Sequence, residues 1–120
     1  MVNPNQALAN KAELTISGGT FIGGQITIKN DDYGSLTITN GTFTQPGEGR
    51  SAVANNHKAT IKGGTFTSET GPAIYSRHYD GTANDGTLTI SGGTFTSAGS
   101  HALALLTSGA KADISGGAFT

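Results

Sequence analysis

Cysteine is absent from this chain of 120 residues, so it can hold neither a disulfide framework nor a thiolate site. No apolar run approaches the roughly 18 residues of a membrane-spanning helix, and no membrane insertion is expected. Charge is scarce too. Seven Lys and Arg stand against eight Asp and Glu for a net charge of −1, which offers nothing to nucleic acid or an anionic membrane. Charged residues make up 12% of the chain and hydrophobic ones 34%. An ordinary globule carries about twice that charged fraction and more apolar residues. Met1-Val2-Asn3-Pro4 has neither the basic nor the apolar region of a signal peptide.

What is abundant is glycine, 19 of 120 residues, roughly twice the usual share. Low apolar content with high glycine can mean disorder. Here the apolar residues return at fixed places, in five segments that align on an imperfect Leu-Thr-Ile-Ser-Gly-Gly-Thr-Phe-Thr repeat. The segments run over 13–22, 35–44, 58–67, 87–96 and 111–120. Their isoleucines, Ile16, Ile38, Ile61, Ile90 and Ile114, are separated by steps of 22, 23, 29 and 24. An internal period of this size signals a solenoid, and the leucine and asparagine pattern of leucine-rich repeats is missing.

Within each segment Leu, Thr and Ile alternate as a half-buried strand does, and Thr-Phe-Thr repeats the pattern with Phe inward. The Gly-Gly between them predicts a corner, with positive φ expected at its first position. Asn40, the one non-glycine residue there, fits that expectation and gives the sequon Asn40-Gly41-Thr42 a structural reason. A looser third strand is expected between corners, at Gln6–Ala9, Gln25–Ile28, Ala52–Ala54, Pro72–Tyr75 and His101–Ala104. Stacked coils would set the isoleucines in one ladder and the five phenylalanines in another. The fold class expected is therefore all-β, a right-handed parallel β-helix of about five coils. Residues 1–120 read as a single domain taken from a longer array, since the chain stops inside a repeat at Phe119-Thr120 without a polar cap.

This repeat resembles the Ile-Ser-Gly-Gly-Thr-Phe β-helix repeats of large adhesin-like surface proteins from gut-dwelling Gram-positive bacteria. The resemblance covers about residues 6–120 and departs at Ala118, which replaces threonine. It implies a secreted bacterial parent, extracellular or on the cell wall, whose neighbouring repeats flank this segment. Such arrays serve as stalks, adhesins and carbohydrate-handling modules.

Parallel β-helices can also be polysaccharide lyases or hydrolases, which need clustered carboxylates with a base or metal. The eight acids here never fall at equivalent positions of the repeat, so no enzyme is expected. Asp31-Asp32 and the Asp80…Asp85 stretch lack calcium-loop spacing and read as turn residues. His57, His78 and His101 share no metal-ligand spacing, so neither metal nor cofactor is expected.

Two surface features remain. Outward threonines form columns (Thr20, Thr42, Thr65 and Thr94; Thr44, Thr67, Thr96 and Thr120), a Thr-x-Thr face of the kind that binds ice, though good exposed strand residues would look the same. The longest coil carries Tyr75, Arg77, His78 and Tyr79, with Asn56 and His57 expected on one side and Leu105 and Leu106 on the other. Tyrosine and arginine dominate protein interfaces, and rigid scaffolds hold functional loops. These eight residues are expected to project as a ridge that binds a host protein, such as an immunoglobulin, or a glycan. A structural spacer in a surface stalk and an ice-binding face are the alternatives.

Overall fold

The structure, a computed structural model, describes residues 1–3, 12–78 and 85–120. It is all-β among those residues, a parallel β-solenoid with three strands at each level. The first level comprises β1 (Val2–Asn3), β2 (Glu13–Ile16) and β3 (Thr20–Ile22). The second has β4 (Ile26–Asn30), β5 (Ser35–Ile38) and β6 (Thr42–Gln45), and the third β7 (Ser51–Asn55), β8 (Lys58–Ile61) and β9 (Thr65–Ser68). The fourth has β10 (Ile74–Ser76), β11 (Thr87–Ile90) and β12 (Thr94–Ser97). The fifth has β13 (Leu103–Leu105), β14 (Lys111–Ile114) and β15 (Ala118–Phe119).

Every third strand joins the same sheet, giving three sheets of five strands each. The first sheet runs β1-β4-β7-β10-β13, and the others follow the same order. Five levels correspond to about four turns, counted from each strand to its equivalent on the next level, as from β1 to β13. The repeated segments supply the second and third sheets, as the alternation predicts. The looser strand forms the first sheet, displaced from its expected bounds by a residue or two. Its expected first copy at Gln6–Ala9 lies outside the described residues, and β1 holds that level.

Pairing is one residue above its equivalent. Ile16, Ile38, Ile61, Ile90 and Ile114 stack in the second sheet. Phe21, Phe43, Phe66, Phe95 and Phe119 stack in the third, with ring centroids 4.7 to 5.1 Å apart and planes within 6° of parallel. Ile28, Val53, Ile74 and Leu103 close the core from the first sheet. These ladders use few apolar residues because each side chain is shared by two levels.

The corner between the second and third sheets corrects one expectation. Positive φ belongs to the second glycine of each pair, from 102° at Gly19 to 132° at Gly41, with 110° at Gly64. The first position is small for another reason. A Cβ built on Gly63 would lie 2.6 Å from the Thr39 carbonyl oxygen of the level below. Asn40 is not in the left-handed region, and its Oδ1 accepts the Gly41 N–H at 2.9 Å. Its carboxamide therefore braces the turn rather than tolerating a strained backbone.

Candidate functional site

The turn from the first sheet to the second gathers the expected ridge at one corner. Residues 31–34 form it at the second level, Asn56 and His57 at the third, Arg77 and His78 at the fourth, and 106–110 at the fifth. Tyr79 lies outside the described residues.

Behind this corner the inward column of the first sheet changes from apolar to polar. Asn30, Asn55 and Ser76 stand two residues beyond Ile28, Val53 and Ile74, in register with one another, and all are buried. The Asn30 amide donates to Asn55 Oδ1 and to the carbonyls of Gly34 and Lys58, each at 2.9 Å. Asn55 in turn donates to Ser76 Oγ at 2.9 Å, the Thr87 carbonyl at 3.0 Å and the His57 carbonyl at 3.3 Å. Asparagine carries two N–H donors and an acceptor on a short stem, so it can satisfy turn carbonyls that would otherwise be buried without partners. A second polar column, Gln45 and Ser68, follows Phe43 and Phe66 at the same interval, and Ser68 Oγ donates to Gln45 Oε1 at 3.3 Å.

The outer layer of the corner is also internally bonded. Asp31 Oδ2 pairs with Lys29 Nζ at 3.3 Å, and Asp31 Oδ1 accepts from Asn56 Nδ2 at 3.2 Å. Asn56 Oδ1 accepts from Arg77 Nη2 at 3.0 Å and Nε at 3.3 Å. The Arg77 guanidinium sits 5.4 Å from the centroid of the Tyr75 ring, within cation–π range. His57 Nδ1 accepts the Asp85 N–H at 3.2 Å. The His78 N–H donates to Thr107 Oγ1 at 2.6 Å, and its ring lies against Gly109.

Two ridge residues therefore do not project. Tyr75 is only 3% exposed and Asn56 is buried beside it. Tyr75 pairs in register with Ala54 and Ala104 on the adjacent levels, and the Arg77 guanidinium lies over its ring. Asn56 is drawn in by its bonds to Asp31 and Arg77. What remains accessible is the half-buried Arg77, His57 and His78, with Leu105 and Leu106 exposed at 44% and 52%. Leu105 ends the inward Asn30–Asn55–Ser76 column, whereas Leu106 lies in the turn itself.

The sequence reading missed the two polar columns. The signal was present: a polar residue two places after Ile28, Val53 and Ile74, and after Phe43, Phe66 and Phe95, on the same strand face.

The threonine columns are in register as expected. Thr20, Thr42, Thr65 and Thr94 are exposed, while Thr44, Thr67 and Thr96 are half-buried. Thr15, Thr37, Thr60 and Thr89 add a further column on the second sheet. The carboxylates are dispersed: Asp31 binds Lys29 and Asn56, Glu69 Oε2 accepts the Gly47 N–H at 2.6 Å, and Asp85 lies 3.9 Å from Lys58. An open hollow of about 380 Å³ lies at the first level, lined by Met1, Phe21, Ile22 and Ile26 among others.

No protein-family model, curated protein or solved structure matches the chain. A reading of its function rests on these residues and their geometry.

Proposed function

We propose that the chain is a non-catalytic cell-surface binding module, adhesin-like, in which a stiff solenoid presents one corner to a host protein or glycan. The observation that carries this reading is the Arg77 guanidinium, fixed across Tyr75 by two hydrogen bonds to Asn56 and half-exposed on a corner whose next level exposes Leu106. A held cation beside an apolar side chain suits a surface site, because little side-chain freedom remains to be lost on binding. Tyr75 and Asn56 act here as supports, and Arg77, His57, His78 and Leu106 as the contact residues, while Leu105 belongs to the inward column. Asp31, Glu69 and Asp85 each brace an adjacent level, which supports binding rather than hydrolysis.

The test is capture from mucosal glycoproteins, immunoglobulins and a glycan array, comparing wild type with Arg77→Ala/Leu106→Ser. Loss of capture by at least about tenfold, or about 1.4 kcal/mol, is the expected result. Equal capture by both proteins removes the corner as the site, and no capture by either favours a spacer in a surface stalk. The exposed in-register threonine columns favour a second reading, an ice-binding face, which thermal hysteresis of the wild type tests directly.

A further inference from the structure

Asparagine followed by glycine occurs once in the chain, at Asn40-Gly41. The pair forms the corner between the second and third sheets at the second level, separate from the corner proposed as the binding site. Asn40 is exposed, and its Nδ2 meets no partner among the described residues. Its Oδ1 accepts the Gly41 N–H at 2.9 Å, which holds that nitrogen beside the side-chain carbonyl whose carbon is Cγ. The N–H groups of Thr39 and Thr42 donate to the Ile16 and Gly19 carbonyls of the level below, each at 2.9 Å. Among the described residues the Gly41 N–H instead goes only to its neighbour's side chain.

We propose that Asn40 is a site of self-modification, at which the Gly41 nitrogen closes on Cγ to a succinimide that water opens to aspartate or isoaspartate. The terminal torsion of an asparagine is broad, so a rotation of the carboxamide turns the face of Cγ toward the nitrogen. Glycine has no Cβ to crowd that approach. The nitrogen forms its bond to Cγ and gives up its proton; the Cγ–Nδ2 bond breaks, and ammonia leaves with that proton. Water then cleaves one imide C–N bond. Cleavage at Cγ gives aspartate, and cleavage at the main-chain carbonyl carbon gives isoaspartate. Either product adds a negative charge to an exposed corner. Isoaspartate also routes the main chain through the side chain and lengthens it by one carbon. That extra carbon falls between the Thr39 and Thr42 bonds to the first level, just before the Gly41 carbonyl that accepts the Thr65 N–H at 2.8 Å. Asn30, Asn55 and Asn56 supply the contrast. All three are buried with their amides bound, and the N–H that follows Asn55 is held by the Asn30 carbonyl at 2.8 Å.

Incubation of the folded 120-residue chain in buffer, read by peptide mass mapping and released ammonia, tests the idea. Asn40 should convert at least about tenfold faster than Asn30, Asn55 or Asn56, and no more than about tenfold slower than in urea, because the fold already brings the reacting atoms together. The rate should rise with pH, since the attacking nitrogen must lose its proton. Asn40→Gln, which would have to close a larger ring, should keep the far-ultraviolet circular dichroism spectrum and show no conversion at this position. The isoaspartate form should melt below Asn40→Asp, which carries the charge without the extra carbon. Conversion at Asn40 no faster than at the three buried asparagines, independent of pH or confined to the unfolded chain overturns the proposal, as does an isoaspartate form that melts with Asn40→Asp.

Discussion

Phe66 and Phe119 occupy the same position of the same repeat and stack in the same ladder, yet Phe66 is fully buried and Phe119 is 37% exposed. Ile61 and Ile114 differ in the same way, at 0% and 45%. Nothing within their own segments accounts for this, since Lys58–Phe66 and Lys111–Phe119 follow one pattern. The difference lies in neighbours: the third level is covered above and below, and the fifth on one side. A coil of this solenoid provides half of the environment for its neighbours and cannot bury its own apolar face. Backbone geometry, by contrast, is fixed within each level. Gly64 and Gly117 have φ of 110° and 107°, although one lies in the middle of the stack and the other at its end.

Substitutions can separate these two kinds of contribution. Phe66→Ala should destabilise by about 3–5 kcal/mol in urea unfolding, through lost burial and the cavity left behind. The same change at Phe119, with one stacked neighbour and partial exposure, should cost only about 1 kcal/mol. Equal losses would mean that burial is not shared between levels.

Gly64→Val and Gly117→Val should each introduce about 1–3 kcal/mol of backbone strain, since a β-branched residue is poorly tolerated at positive φ. This pair should differ far less than the phenylalanine pair. Gly63→Val should also destabilise by more than about 1 kcal/mol, by collision with the Thr39 carbonyl rather than by dihedral strain. Relief by a variant that opens only the dihedral angle would argue against that cause.

Asn55→Ala should destabilise by about 1–3 kcal/mol, because the carbonyls of His57 and Thr87 and the Ser76 hydroxyl lose their donor inside the corner. Asn40→Ala, on the exposed corner, should cost well under about 1 kcal/mol by the same assay. The smallest effect belongs to Thr65→Tyr on the exposed third-sheet face, within about 0.5 kcal/mol of wild type. A binding module is expected to show no thermal hysteresis, whereas an ice-binding face would lose its hysteresis in this variant.

Much of this architecture is legible in the residues. Period-two alternation around Ile61 and Phe66 reveals which side chains turn inward, and the recurrence of Gly-Gly marks the corner. The role of each glycine is less legible. Gly63 and Gly64 look alike in sequence, and only the carbonyl of the level below distinguishes close approach from positive φ. The ridge was legible as a place but not as a surface. Tyr75 reads as an interface residue by type, and its burial became visible only in the folded chain, where Ala54 and Ala104 flank it on the adjacent levels and Arg77 lies over its ring. The buried asparagine column follows the same alternation as the apolar ladders, but an inward polar residue makes sense only once the turn carbonyls it serves are in place.

Native-state hydrogen exchange, followed amide by amide in dilute solution, tests shared burial most directly. Amides of β8 and β9 should exchange only on global unfolding, and those of β14 and β15 faster, through local opening of the fifth level. Equal protection at the third and fifth levels would contradict the claim that each coil is held by its neighbours.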